Sequence, residues 1–237
     1  MQKITWEKLT TAERSDALAR PDARSDAGIL DVVQGVFAEV AADGDAAIMR
    51  YSEKFDRAPA GKLDLTDSVV AAARSVVEDA DYAALKFAAE NIHAFHKAEP
   101  IPSYDTEVVA GVSCARVFRP VRRAGLYVPG GTAPLFSSLL MLAIPAQVAC
   151  VGDLVVCTPP NRSGQINPLI ILAADLCSLK TLHLVGGAQA IAGMALGTQM
   201  IPKVNIIAGP GNAYVTAAKS FAATMPAGPA VDMPAGP

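Results

Sequence analysis

The feature that most constrains the fold is a strand–turn–helix unit that occurs four times in succession between residues 124 and 223. Each unit opens with a short apolar run, passes through a turn and continues into a stretch of helical periodicity. The four apolar runs are residues 124–129, 153–158, 181–185 and 203–208. Strands buried on both faces read as continuous apolar runs, and successive strand–helix units build a parallel sheet. The sequence therefore predicts an α/β fold with a doubly wound parallel sheet.

The residues before about position 104 show a helical period instead. One apolar stripe recurs at intervals of three or four residues and consists of Ile29, Val32, Val33, Val36, Phe37 and Val40. This spacing is typical of one face of a helix. The predicted elements that follow are an N-cap at 43–45, a second helix through Phe55, a turn at 59–61, helices at 67–78 and 81–97, and short strands within 107–121. We expect a helical N-terminal segment to precede a Rossmann-like sheet.

Composition and charge exclude several classes of protein. Among 237 residues the formal net charge is −3, whereas a protein that neutralises nucleic-acid phosphates is usually basic. The 51% hydrophobic and 18% charged fractions are too apolar and too weakly charged for an intrinsically disordered chain. The longest apolar stretch, 139–151, falls short of the roughly 18 residues that span a membrane, and residues 1–6 show no signal-peptide pattern. We expect a cytoplasmic protein that binds neither nucleic acid nor membranes.

The cysteines and histidines do not predict a metal site. The four cysteines have irregular spacing and no Cys-x-x-Cys pair, which favours reduced thiols, mostly in the core. His93 and His96 are three residues apart near a helix end but have no recognisable partner ligands, so a surface or interface position is favoured. His183 lies within an apolar run and is expected to be packed with its nitrogens hydrogen-bonded. No metal ligand is therefore predicted in this chain.

Glycine-rich turns follow three of the four predicted strands. They are Gly130-Gly131, Gly186-Gly187 and Gly209-Pro210-Gly211. Ligands of open α/β sheets bind at the carboxyl ends of the strands, where glycine permits close backbone approach and a following helix attracts anions. This pattern predicts a nucleotide or another phosphorylated ligand. The alternative is that glycine is simply the easiest residue in a tight turn, and residues 209–214 lack the third glycine of the dinucleotide fingerprint.

Three polar side chains are expected at the same sheet edge. Tyr127 ends the first strand of the repeat, Gln189 follows the second glycine pair and Asn212 follows Gly211. The Tyr127 phenol could stack on or hydrogen-bond a ligand, or it could only cap the core. Asn212 could contact a ligand or serve only as a helix N-cap.

Five segments of the chain together resemble one enzyme family. They are residues 125–131 (GLYVPGG), 133–137 (APLFS), 185–192 (VGGAQAIA), 209–213 (GPGNA) and 232–237 (DMPAGP), and they resemble histidinol dehydrogenase in sequence, order and spacing. The resemblance implies a homodimeric enzyme of histidine biosynthesis that uses zinc and NAD to oxidise L-histidinol to L-histidine in two hydride transfers. It also implies that Tyr127, Gln189 and Asn212 contact NAD. The glycines expected to shape that surface are Gly130, Gly131, Gly186, Gly187, Gly209 and Gly211.

The same resemblance implies that this chain corresponds to the N-terminal half of such an enzyme. The family's zinc ligands, Glu–His acid/base pair and substrate-holding serine would lie beyond residue 237. We therefore expect no catalytic and no metal-binding residue here, and no activity of this chain alone. The expected division is a helical segment at 1–104, which forms part of an incomplete domain and makes dimer contacts, an NAD-binding domain at 105–228, and a truncated connector at 229–237.

Two other interpretations of the sequence remain open. One is a paralogous NAD-dependent alcohol dehydrogenase of the same fold, such as a sulfopropanediol dehydrogenase, because the residues that select the substrate would lie outside this sequence. The other is a non-catalytic binding or assembly fragment that pairs through its helical segment. A substrate screen would separate the first from a histidinol dehydrogenase, and self-association without activity would favour the second.

Overall fold

The computed structural model describes residues 4–18, 27–98, 102–130 and 135–232. The helices are α1 (Thr11–Leu18), α2 (Ala27–Asp43), α3 (Asp45–Tyr51), α4 (Asp67–Ser75), α5 (Asp79–Lys97), α6 (Phe136–Val148), α7 (Pro168–Leu176), α8 (Gly187–Leu196) and α9 (Ala213–Thr224). The strands are β1 (Gly61–Asp64), β2 (Tyr104–Val109), β3 (Val112–Arg116), β4 (Arg123–Tyr127), β5 (Asp153–Cys157), β6 (Thr181–Leu184), β7 (Ile206–Ala208) and β8 (Ala230–Val231). A short 3-10 turn covers Trp6–Lys8, and a π-helical segment covers Ser52–Asp56.

Six of these strands form one sheet, in the order β1-β6-β5-β4-β7-β8. All neighbouring pairs in it are parallel except β1 and β6, which are antiparallel. The parallel part of the sheet begins at β4, continues outward through β5 to β6, and then returns to the other side of β4 with β7 and β8, while the earlier strand β1 pairs with the outer edge of β6. The predicted α/β fold with a doubly wound parallel sheet is therefore confirmed. The direction of winding reverses between β4 and β7, which is the position where such sheets bind ligands.

Helices cover both faces of the sheet and enclose two apolar clusters. On one face α2 packs against α8 and α9, and on the other α4 packs against α7 and α5 against α6. The predicted stripe on α2 accounts for much of the first contact, because Val33, Val36, Phe37 and Val40 are all buried. Val32 belongs to the same stripe but is 40% exposed. The N-terminal segment is thus packed onto the sheet that follows it in the chain.

The structure corrects the sequence-based reading of residues 43–64. The predicted turn at 59–61 leads directly into β1, which pairs with β6 from Gly61↔Leu184 to Asp64↔Thr181. This strand is not predicted from the sequence because it has only four residues, and its two exposed residues, Lys62 and Asp64, are charged. The second helix is also interrupted, since α3 ends at Tyr51 and gives way to the π-helical segment. The N-cap of α3 is Gly44, which has no side chain to bond the backbone of the first turn.

Three further expectations are changed by the packing. All four cysteines are free thiols, but Cys114 and Cys150 are exposed and only two are buried. His183 is packed as expected and its ring is hydrogen-bonded to the Met200 backbone, but its buried Nδ1 has no partner among the described residues, so the prediction that both nitrogens are bonded is confirmed only in part. The run 203–208 forms a strand only over Ile206–Ala208, although the preceding Asn205 already bonds to Arg123 of β4 through both its backbone N–H and its side-chain oxygen. No helix in the described ranges is long and apolar enough to cross a membrane.

Candidate functional site

An open cleft of about 1960 Å³ lies at the carboxyl ends of the central strands. It is lined by a residue at or just after the end of each central strand, namely Tyr127 at the end of β4, Pro159 after β5, Gly187 after β6 and Gly211 after β7. Part of the N-terminal segment, including Tyr51, forms another part of its wall. The cleft therefore opens at the place where the winding of the sheet reverses, as expected for the ligand site of this fold.

The residues predicted from the sequence fall into two groups in this cleft. Six of them line it, namely Tyr127, Gln189, Asn212, Gly130, Gly187 and Gly211. Gly186 and Gly209 instead pack behind the surface. A Cβ on Gly186 would lie 2.6 Å from an Asp56 carboxylate oxygen, and one on Gly209 would lie 2.2 Å from the Tyr127 carbonyl oxygen. Gly131 lies outside the described residues.

Tyr127 is held by the backbone at the start of α8. Its hydroxyl oxygen accepts a hydrogen bond of 3.0 Å from the Gly187 N–H, and the side chain is only 4% exposed. Burial raises the pKa of the Tyr127 hydroxyl to about 12. The phenol therefore stays protonated at neutral pH and is suited to donating a hydrogen bond rather than to removing a proton.

Asp56 joins this arrangement from the N-terminal segment. One of its carboxylate oxygens accepts bonds of 3.1 Å from both the Gly186 N–H and the Gln189 side-chain N–H. Burial raises the pKa of the Asp56 carboxyl above its ordinary 3.8, while the bonds from Gly186 and Gln189 act in the opposite direction. No sequence pattern identifies Asp56, because it lies 130 residues from Gly186 and follows an ordinary amphipathic helix.

Gln189 is fully buried, although it lines the cleft. Its exposed fraction is 0%, and its Oε1 atom has no hydrogen-bond partner among the residues that the structure describes. Buried polar atoms are normally paired, and leaving one unpaired costs roughly 1–3 kcal/mol. An unpaired acceptor at the base of a cleft fits a ligand that carries an N–H or O–H group.

A different set of contacts holds the start of α9. The Gly209 N–H donates to the Asp232 carboxylate at 2.9 Å, and the buried Lys219 ammonium donates to the Gly209 carbonyl at 2.8 Å and also to Asp232. Asn212 caps α9 by accepting a bond of 3.1 Å from the Val215 N–H, and its own side chain faces solvent. Asn212 is thus both a helix cap and a cleft residue.

Lys219 is a second residue that sequence reasoning missed, although a signal was present. It lies four residues after Val215 on the apolar face of α9, between the buried Ala218 and Ala222. A lysine in an apolar stripe predicts a buried charge that requires a carboxylate partner. The partner, Asp232, lies at the start of a segment that carries the family resemblance.

The cleft offers groups that could hold NAD, whereas the described residues do not fit a zinc ion. The unpaired Gln189 acceptor offers a place for an uncharged donor, and the solvent-facing amino end of α9 offers a place for a phosphate. In the ranges that the structure describes, no group of three or more His, Cys, Asp or Glu could hold a metal ion. We therefore derive no step through zinc from this chain.

Comparisons with known proteins agree on one family. The family model for histidinol dehydrogenase matches residues 19–237. Histidinol dehydrogenase of Mannheimia succiniciproducens is 43% identical over 237 residues, which is 100% of this chain and 54% of that protein. The protein of the same name from Escherichia coli strain K12 is 42% identical over 234 residues, or 99% of this chain and 53% of that protein.

A solved structure gives the same answer for the fold. The crystal structure of histidinol dehydrogenase from Elizabethkingia anophelis matches with a TM-score of 0.86 and 40% identity, over 97% of this chain and 52% of that chain. The chain therefore spans about half the length of the relatives it matches.

Proposed function

Because the chain belongs to the histidinol dehydrogenase family, we propose that it forms the NAD-binding portion of an enzyme that oxidises L-histidinol to L-histidine. The observation that carries this proposal is the convergence of Tyr127, Gln189 and Asn212 on one cleft at the reversal of the sheet. These residues lie far apart in the sequence and come from three different strand–helix units. Their position on one cleft is what a single ligand that contacts all three would require.

Each of these residues has a distinct role in the proposed site. Gln189 offers an unpaired acceptor, Tyr127 offers a hydroxyl that stays protonated, and Asn212 stands at the amino end of α9. The dipole of α9 favours a negatively charged ligand group there, which suits the pyrophosphate of NAD. When bound, NAD would supply the acceptor for the hydride that leaves the alcohol carbon.

The proposal also includes properties of the longer enzyme. Zinc and the acid/base residues would come from outside this sequence, so we expect the 237-residue chain alone to bind NAD without sustained turnover. Homodimerisation is supported by apolar side chains that stand exposed on α5 and on the β2–β3 hairpin, such as Phe87 at 66% and Val109 at 66%. A cytoplasmic location belongs to the same proposal and would be checked by cell fractionation.

Calorimetric titration of NAD into the 237-residue chain tests the proposed function. Wild-type protein is expected to bind, and Tyr127→Ala is expected to weaken binding about tenfold or more, because a hydrogen bond and a buried ring are lost. Tyr104→Ala is the matched control, since Tyr104 is 58% exposed on β2 and does not line the cleft. Equal affinities for wild type and Tyr127→Ala would contradict the proposed site.

The substrate is tested separately in a longer protein that includes this chain. NADH formation is followed with histidinol and with a sulfonated propanediol as competing substrates. Preference for histidinol supports the proposal, whereas preference for the sulfonated alcohol would assign the chain to a paralogous dehydrogenase.

A further inference from the structure

Asp56 reaches the cleft through an unusual piece of backbone. It is the last residue of the π-helical segment Ser52–Asp56, which ends at Arg57 in the left-handed conformation with φ of 55°. Short π-helical insertions are frequent at functional sites. They turn side chains out of the register of the preceding helix. Here the insertion brings a carboxylate from the N-terminal segment to the start of α8, where it meets Gly186 and Gln189.

The carboxylate determines which way the Gln189 amide faces. An ionised carboxylate can only accept hydrogen bonds, so the Gln189 NH₂ group must face Asp56. The amide oxygen is thereby fixed on the opposite side, where it has no partner among the described residues. Without Asp56, the amide could rotate by half a turn and present N–H donors in place of the oxygen. Asp56 thus decides whether Gln189 accepts or donates.

The same group of residues makes the start of α8 unfavourable for an anion. The first two N–H groups of the turn are used internally, because Gly186 donates to Asp56 and Gly187 donates to the Tyr127 hydroxyl. The negative charge of Asp56 also lies at the positive end of the α8 dipole. A ligand phosphate at this position would meet a carboxylate, so the α8 end of the cleft suits an uncharged, hydrogen-bond-donating part of the ligand.

We infer that Asp56 is a positioning residue, which orients Gln189 so that its Oε1 accepts a hydrogen bond from an N–H or O–H group of NAD. The inference rests on the proposed function, and it adds an assignment of polarity along the cleft. The α8 end would bind an uncharged donor such as a carboxamide or a ribose hydroxyl, and the α9 end would bind the phosphates. Asp56 would act through Gln189 and would not itself touch the ligand.

Two substitutions at Asp56 separate positioning from charge. Asp56→Ala removes the acceptor and is expected to weaken NAD binding about tenfold, as measured by calorimetry. Asp56→Asn keeps a carbonyl oxygen that can accept the same two N–H groups, and it is expected to bind within about threefold of wild type. Asp45→Ala is the control, because Asp45 also ties the N-terminal segment to a distant backbone N–H, that of Met200, but does not line the cleft.

A double-mutant cycle tests whether Asp56 acts through Gln189. Gln189→Met removes the acceptor at nearly the same side-chain length. If Asp56 only positions Gln189, adding Asp56→Ala to Gln189→Met causes no further loss of affinity, so the two effects are strongly non-additive. Additive losses, or an Asp56→Ala protein that binds as tightly as wild type, would overturn the inference.

A readout without ligand distinguishes this failure from failure of the proposed function. In NMR spectra of the chain alone, the Gln189 NH₂ protons are expected to exchange slowly with solvent in wild type and in Asp56→Asn, and fast in Asp56→Ala. If the Gln189 NH₂ protons exchange as slowly in Asp56→Ala as in wild type, the inference is wrong whether or not NAD binds. Absence of NAD binding to wild type, with slow exchange present, would instead count against the proposed function.

Discussion

The start of α8 and the start of α9 are built from similar glycine-rich turns, but different residues bond the backbone N–H groups of each turn. At α8 the turn N–H groups of Gly186 and Gly187 donate to Asp56 and Tyr127, of which Asp56 is partly buried and Tyr127 is buried. At α9 the turn is clamped from behind by Lys219 and Asp232, while Asn212 faces solvent. Both turns hold one of the protein's own carboxylates, but the carboxylate at α9, Asp232, is paired with the buried Lys219 ammonium. The α9 turn is therefore the better place for an anionic ligand group.

This difference teaches that a glycine turn does not by itself define an anion site. The deciding residues lie elsewhere in the chain, at the end of a π-helical segment for α8 and on the inner face of α9 for the other turn. Four predictions test the comparison, beginning with the one expected to have the largest effect.

The largest expected effect is the loss of stability when Gly209 in the α9 turn is replaced. A tolerated replacement would contradict the close packing of this turn against β4. In Gly209→Ala the new Cβ would lie 2.2 Å from the Tyr127 carbonyl oxygen, at a φ of +132° that disfavours any side chain. We expect a loss of about 4 kcal/mol or more in the free energy of unfolding, measured by chemical denaturation. Gly111→Ala serves as the control, because Gly111 has a φ of +80° but no atom within 4 Å, and only about 1 kcal/mol of backbone strain is expected there.

Lys219→Met tests whether the clamp behind the α9 turn stabilises the protein. The substitution leaves the Gly209 carbonyl and the Asp232 carboxylate without the ammonium that bonds both. Because Lys219 is 1% and Asp232 34% exposed, we expect a loss of about 2–3 kcal/mol in the free energy of unfolding. Lys62→Met removes the exposed pair with Asp64 and should cost less than about 0.5 kcal/mol; a similar cost for both variants would refute the clamp.

Asn212→Ala sharpens the claim that the α9 end is the open one. Loss of the cap should reduce the free energy of unfolding by about 1 kcal/mol, and NAD affinity should fall as well, because the amino end of α9 loses its order. Thr66→Ala is the matched control, since Thr66 caps α4 through the Val69 N–H and does not line the cleft. It should lose similar stability with unchanged NAD affinity, so equal affinities for the two variants would argue against an open α9 end.

The smallest effect is a pH dependence that belongs to Asp56. Its pKa is raised in the folded state, so between 3.8 and that raised value the folded chain holds a proton that the unfolded chain has released. The contribution of Asp56 to stability is therefore present below pH 3.8 and declines as the pH rises through this window. Denaturation of wild type and Asp56→Asn across this range should show the decline as a difference between the two curves. A difference that does not vary with pH would contradict the burial of Asp56.

Much of the fold could be predicted because its signals are local. Four apolar runs, each followed by a turn and a helical stretch, were enough for the doubly wound sheet, and the apolar stripe of α2 identified four buried residues correctly. β1 could not be predicted, because its four residues form a strand only through pairing with β6. The π-helical segment gave no signal either, since Ser52–Asp56 continues the helical pattern of α3.

The sequence predicted only those residues of the candidate site that lie at, or shortly after, the carboxyl end of a predicted strand. Tyr127, Gln189 and Asn212 were placed in one cleft by the order of the units, and their contact with NAD stays a prediction. Asp56 could not be found, because its position depends on packing between segments that are distant in the chain. Lys219 could have been found, since a charge on an apolar helix face requires a partner.

The antiparallel strand β1 has a consequence for how the chain can be divided. It caps the outer edge of β6 with residues from the N-terminal segment, so the backbone hydrogen-bonding groups on that flank are already paired. A shortened gene encoding only residues 105–237 would leave this flank bare, and a bare strand flank recruits strands from neighbouring molecules. By supplying β1, the N-terminal segment protects this edge of the sheet from pairing between molecules, so the segment and the sheet domain are best expressed as one polypeptide.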